Sequence, residues 1–122
     1  MSLILIVDDS PTEVHVMKGA LEQGGFEVAV AVNGEEAITM ARELHPSLIF
    51  MDVVMPGMNG FQATRTIARD PETSDIPVVM VTTKGQETDK IWGMRQGAVD
   101  YLVKPVRPPE LLAKAQSMLS AL

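Results

Sequence analysis

The stretch Leu48-Ile49-Phe50-Met51-Asp52-Val53-Val54-Met55-Pro56-Gly57 decides how this chain is read. Four apolar residues without polar alternation mark a buried strand, and the run ends on a single carboxylate. Met55-Pro56-Gly57 then prevents regular structure from continuing. Asp52 is therefore expected at the carboxyl end of a strand inside a parallel sheet.

Working outward, Leu3-Ile4-Leu5-Ile6-Val7 is a second unbroken apolar run, and it stops at Asp8-Asp9. Ser10 as N-cap, Pro11 at the first helical position and Glu13 three residues after the cap predict a helix to about Gln23. Its inner face is Val14, Met17, Ala20 and Leu21, and Gly24-Gly25 ends it. Phe26 to Val32 alternates only partly, which suits an edge strand. Asn33 caps a second helix running through Leu44, with early acids that favour the helix dipole, and His45-Pro46 closes it. Gly60 to about Arg69 is a third helix, followed by a polar loop from Asp70 to Asp75. Pro77 to Thr82 is a fourth strand. Glu87 to Gln96 is a fourth helix, stopped by Gly97. Val99 to Val103 is a fifth strand ending at Lys104-Pro105, where a cis bond is expected. Pro109 to Leu119 is the last helix.

Five strands alternating with five helices predict an α/β fold, a doubly wound parallel sheet of (βα)5 type. The span 1–122 is expected to be one domain with no residues left for a separate output domain. At 122 residues it should bury about two thirds of its unfolded surface. With only five aromatic residues, the core must come from aliphatic side chains, with the nine methionines as filler. The absence of cysteine excludes disulfides, thiol catalysis and thiolate-bound metals, and it fits a cytoplasmic location. A net charge of −6 without basic clusters argues against nucleic acid as a partner. Leu3 to Val7 is too short to insert in a membrane.

The strand ends carry the chemistry. The first gives Asp8-Asp9, the third Asp52, the fourth Thr82 and the fifth Lys104. Parallel sheets bind ligands at their carboxyl ends where strand order reverses, and in the order 2-1-3-4-5 that point separates strands one and three. Two carboxylates 4 Å apart repel by roughly 4 kcal/mol at an effective dielectric near 20, so either their pKa values rise or a cation sits among them. All-oxygen ligands without His or Cys indicate Mg²⁺ or Mn²⁺. Asp52 is then a candidate nucleophile for a phosphoryl group, with Lys104 and the Thr82 hydroxyl stabilising the transferring oxygens. His15 and His45 are read as surface or capping residues.

Leu3 to Ser10, Met51 to Gly57, Val81-Thr82-Thr83 and Tyr101 to Pro105 together resemble the signature blocks of the response-regulator receiver domain, a CheY-like family with a flavodoxin-like fold. The resemblance spans the whole chain. It implies phosphotransfer from a sensor histidine kinase to Asp52, and Mg²⁺ held by Asp9, Asp52 and the Val54 carbonyl, with Asp8 acting largely through water. It further implies that Thr82 and Tyr101 switch together and alter the face formed by the fourth helix, fifth strand and fifth helix. Trp92, with Arg95 and Val106, is the candidate partner surface, although Trp92 reads equally as lateral packing. Gly60 to Arg65 and Val81 to Ala98 more narrowly resemble the PilH-type stand-alone receivers of systems governing type IV pili and twitching motility. That implies a downstream protein target in the pilus machinery and a monomer or weak dimer. In the wider family, fast dephosphorylation goes with polar groups two residues after the acceptor and two after the switch Thr. Here these positions are Val54 and Lys84, which implies a slow loss of phosphate.

Other readings fit less well. A flavodoxin-type cofactor binder needs a hydroxyl- and Gly-rich loop after the first strand, where Asp8-Asp9 would repel a bare phosphate. Dehalogenase-type phosphatases carry an acid where Val54 stands. No enzymatic activity beyond self-phosphorylation and autodephosphorylation is expected. The remaining alternative is a phosphate sink that drains a shared kinase without an output target.

Overall fold

Apolar runs buried on both faces assemble into one parallel sheet. In the computed structural model, which describes residues 2–120, the strands are β1 (Leu3–Val7), β2 (Glu27–Ala31), β3 (Leu48–Met51), β4 (Val78–Thr82) and β5 (Asp100–Val103). Their order is β2-β1-β3-β4-β5. The helices are α1 (Pro11–Gln23), α2 (Gly34–Leu44), α3 (Gly60–Arg69), α4 (Glu87–Gln96) and α5 (Pro108–Ser120). Met1, Ala121 and Leu122, the ends of the 1–122 span, lie outside the described residues.

The period of two along each strand divides the core into two layers. Ile4, Ile6, Leu48, Phe50, Val79 and Val81 pack with Met17 and Leu21 of α1 and Leu111 and Ala115 of α5. Leu5, Val7, Ile49, Met51, Val78 and Met80 face the opposite way, onto Ala37, Ala41, Ala63 and Ile67 of α2 and α3. β1, β3 and β4 are almost wholly buried, whereas β2 and β5 are half-buried edges, as the partial alternation of β2 predicts.

Where element boundaries differ from the sequence expectations, backbone hydrogen bonds give the reason. Pro77 has no N–H and contributes only its carbonyl, which accepts from Ile49 N at 3.0 Å, so β4 begins at Val78. β2 is shorter at both ends. Phe26 N is drawn to the Leu21 carbonyl at the end of α1, and Val32 N donates to the Glu36 carboxylate of α2. The polar loop after α3 contributes one buried residue, Thr73, whose hydroxyl donates to the Ile67 carbonyl at 2.8 Å. Methionine is core filler at Met17, Met51, Met55 and Met80, but Met94 is exposed. It sits on α4, which is polar over most of its surface and fully buries only Gly93.

The helix starts flanking the sheet's carboxyl edge differ in how firmly they are held. Asn59 and Gln62 form a reciprocal capping box at α3. Immediately after the cap, Gly60 N donates to the Val53 carbonyl at 2.9 Å. A Cβ on Gly60 would lie 2.0 Å from the Asp52 carbonyl oxygen, so only glycine lets α3 approach this closely. Gln86, at the start of α4, makes no side-chain cap hydrogen bond.

The Gly60 contact is with backbone, which cannot rotate aside. Gly60→Ala is therefore expected to destabilise the fold by about 2–3 kcal/mol. Urea unfolding of the two proteins measures this, and a midpoint equal to wild type would contradict it.

Candidate functional site

Three polar residues of the site stand just beyond the end of a strand, and a ladder hydrogen bond fixes each there. Asp8 N donates to the Ala31 carbonyl at 3.1 Å, Asp52 N to the Val7 carbonyl at 2.9 Å, and Lys104 N to the Thr82 carbonyl at 2.8 Å. Sheet register therefore sets where the side chains converge. One carboxylate oxygen from each of Asp8, Asp9 and Asp52 lies within 4.8 Å of the other two. Asp8 and Asp52 are buried, whereas Asp9 is exposed. The cluster sits between β1 and β3, where the strand order reverses.

Lys104 is the cation that bridges the two buried acids, Asp8 and Asp52. Its Nζ lies 2.8 Å from Asp8 Oδ2 and 3.4 Å from Asp52 Oδ2, and it also bonds the carboxylate of Glu13. The peptide bond from Lys104 to Pro105 is cis, as expected. Two backbone donors complete the acids' hydrogen bonding: Ser10 N to Asp8 Oδ1 at 2.9 Å and Val53 N to Asp52 Oδ1 at 2.8 Å. Burial raises the Asp52 carboxyl above the usual carboxylate range; Lys104 pulls it down and Asp8 pushes it further up. Burial alone would lower the Lys104 ammonium, but hydrogen bonds to Asp8 and Glu13 outweigh it and the net shift is upward.

Glu13 is the member of this group that the sequence reading missed. It is expected to reach back to Ser10 N in a capping box, but Asp8 already occupies that donor. The Ser10 hydroxyl still caps α1 through Glu13 N, and the freed Glu13 side chain turns to Lys104. The signal was available: Glu13 lies in the first turn of the helix that leaves Asp8-Asp9, so it starts at the same sheet edge as Lys104.

Thr82 is fully buried, and its hydroxyl oxygen accepts from Lys84 N at 3.4 Å. The Tyr101 ring packs on Gly93 of α4, and its hydroxyl donates to the Lys84 carbonyl at 2.6 Å. Burial, then Asp89 and Asp52, push that phenol up to about 12. Val54 is exposed directly after the acid strand. Trp92 and Arg95 lie exposed on α4, with Ile91 and Met94 beside them. Val106, grouped with them from sequence, is placed elsewhere. It packs half-buried against the α1 and α5 core layer and lines a cavity of about 160 Å³ together with Glu13, Val16 and Lys104.

The donor set fits a hard divalent cation. Three carboxylates converge with no imidazole or thiolate among them, and two of the three are buried, where uncompensated charge is costly. Such a cluster has the donors for magnesium or manganese and a carboxylate, Asp52, at its centre.

Residues 4–116 match the model of the response regulator receiver domain. The chain is 54% identical to a protein of Pseudomonas aeruginosa named PilH over 120 residues, covering 98% of this chain and 99% of that one. It is 40% identical to the DNA-binding response regulator MtrA of Mycolicibacterium smegmatis, where it covers 95% of this chain but only 50% of MtrA. Among solved structures, the chemotaxis response regulator CheY4 of Vibrio cholerae superposes with a TM-score of 0.90 at 33% identity, over 97% of this chain and 98% of that one. A response regulator of Chloroflexus aurantiacus gives 0.92 at 34% identity, over 98% of both chains.

In metal-free buffer, a native Asp52 pKa above that of the unfolded chain means that ionised Asp52 costs the fold stability at pH 7. Asp52→Asn removes that cost and is expected to raise Tm at pH 7. The gain shrinks as pH falls through the native Asp52 pKa toward the ordinary value of 3.8, where both states of the wild type become protonated. Melting curves of both proteins in chelator across this range check the sign, and an unchanged or lower Tm for the variant at pH 7 contradicts it.

Proposed function

This chain belongs to the response regulator receiver domain family, and on that footing we propose that it is a stand-alone response regulator phosphorylated on Asp52 by a sensor histidine kinase. The observation that carries this reading is the convergence of Asp8, Asp9 and Asp52 within 4.8 Å, with Lys104 between Asp8 and Asp52. An Asp52 carboxylate oxygen attacks phosphorus, the P–N bond of the donor phosphohistidine breaks as the O–P bond forms, and the imidazole leaves after taking up a proton. Asp8, Asp9, Asp52 and the Val54 carbonyl would hold magnesium or manganese, which would supply positive charge against the transferring oxygens. Lys104, beside Asp8 and Asp52, gives a second positive charge, and the Thr82 hydroxyl turns toward the phosphoryl group as Tyr101 follows.

The exposed α4 surface supports an output role over a phosphate sink. Ile91, Trp92 and Met94 expose large apolar side chains on one helix, with Arg95 among them, a composition suited to a protein partner. The identity with PilH along nearly the whole chain supports control of type IV pilus twitching motility through a protein target in the cytoplasm, without nucleic acid or membrane insertion. A monomer or weak dimer serves such an adaptor.

Incubation with acetyl phosphate, followed by intact mass, tests the site. The wild type is expected to gain one phosphate only when Mg²⁺ is present, and Asp52→Asn to gain none. No gain in wild type, or a gain that persists in the variant, defeats the reading. Capture of a pilus-associated protein by the phosphorylated form over the unmodified one separates adaptor from sink.

Val54 is apolar and exposed next to the acceptor, so it cannot orient an attacking water. Val54→Asn is expected to shorten the aspartyl-phosphate half-life several-fold, followed as loss of the phosphorylated mass with time. An unchanged half-life argues against any part for this position in phosphate lifetime.

A further inference from the structure

We propose that Glu13 is a positioning residue that holds Lys104 off the acidic cluster when a divalent cation enters it. The proposal rests on the reading of Asp8, Asp9 and Asp52 as that cation's site. Lys104 has three N–H donors, and in this structure it approaches three carboxylates. Two of them, Asp8 at 2.8 Å and Asp52 at 3.4 Å, belong to the cluster itself. A cation placed among those acids repels the ammonium and competes with it for the same carboxylates.

Glu13 is the Lys104 partner, among the described residues, that stands outside the cluster. It reaches Lys104 from the first turn of α1, on the side where both residues line the cavity with Val16 and Val106. That side is apolar, so an ammonium pushed there without a carboxylate would be stranded. With Glu13 in place, Lys104 keeps one charge-assisted hydrogen bond while it loosens from Asp8 and Asp52. It also stays close enough to meet a group arriving on Asp52. Without Glu13, Lys104 has only the cluster acids as partners, and an incoming cation must displace it against their full attraction.

The side chain of Glu13 is 43% exposed, so nothing in the core depends on it, and Gln is well suited to the first turn of a helix. Two effects of removing its charge would look alike: release of Lys104 onto the cluster, and simple loss of a nearby negative charge. A double-mutant cycle separates them. Mg²⁺ binding is measured by titration calorimetry on the full chain for wild type, Glu13→Gln, Glu13→Asp, Lys104→Met and the Glu13→Gln/Lys104→Met pair.

Glu13→Gln is expected to weaken Mg²⁺ binding about fivefold, with Tm near that of wild type. Glu13→Asp keeps the charge but loses the reach, and is expected to weaken binding similarly. In the Lys104→Met background, Glu13→Gln should change affinity by less than about twofold. Equal loss in both backgrounds, or full affinity in Glu13→Asp, would show Glu13 to be a bare charge and overturn the proposal. Wild-type affinity in Glu13→Gln overturns it as well and leaves the cation site intact. A wild type that binds no Mg²⁺ sinks both the proposal and the reading it rests on.

Discussion

Carboxylates held within 4.8 Å of one another are the constraint to which the rest of this molecule answers. Left to themselves these acids would separate, protonate or draw water into the sheet edge. They stay because the two buried ones, Asp8 and Asp52, are each the first residue past a strand buried on both faces, with a backbone N–H bonded into the ladder. Core packing in the two apolar layers thus opposes the repulsion, and Lys104 offsets part of it. One ammonium against the cluster and Glu13 leaves a net negative site, a composition that favours a small hard cation over a bare anion.

The fold was legible in the sequence because its signals were redundant. Unbroken apolar runs at Leu3 to Val7 and Leu48 to Met51 marked central strands, the partial alternation of Phe26 to Val32 marked an edge, and Ser10, Asn33 and Gly97 marked helix ends. Errors at strand ends arose where a backbone N–H was missing or bonded outside the ladder. Val32 was lost to β2 because Glu36 captures its N–H, a choice that propensity and period do not encode. Met94 was assigned to the core by residue type, but α4 presents no apolar stripe for it to join.

For the site, the strand-end positions of Asp8, Asp9, Asp52, Thr82 and Lys104 were readable because topology alone brings strand ends together. Glu13 was not, since its destination hinged on which acceptor claimed Ser10 N. Asp8 lies closer in the chain and wins that donor, which frees Glu13 for Lys104. Val106 shows the same limit from the other side. Its neighbours in sequence point to a surface loop, while its contacts with the α1 and α5 layer come from long-range packing.

The glycine wedged beneath Asp52 makes the two sides of the site unequal in compliance. On the α3 side, Gly60 touches the backbone of Asp52, its N–H is tied to Val53, and a capping box fixes the first turn. On the α4 side, the exposed segment from Thr83 to Gln86 leads into a helix start with no side-chain cap, and the Tyr101 hydroxyl and the Thr82 hydroxyl both bond to Lys84 within it. The backbone of Asp52 is therefore hemmed in on the α3 side, whereas on the α4 side the strand ends reach the helix that carries Trp92 through the exposed Lys84 segment.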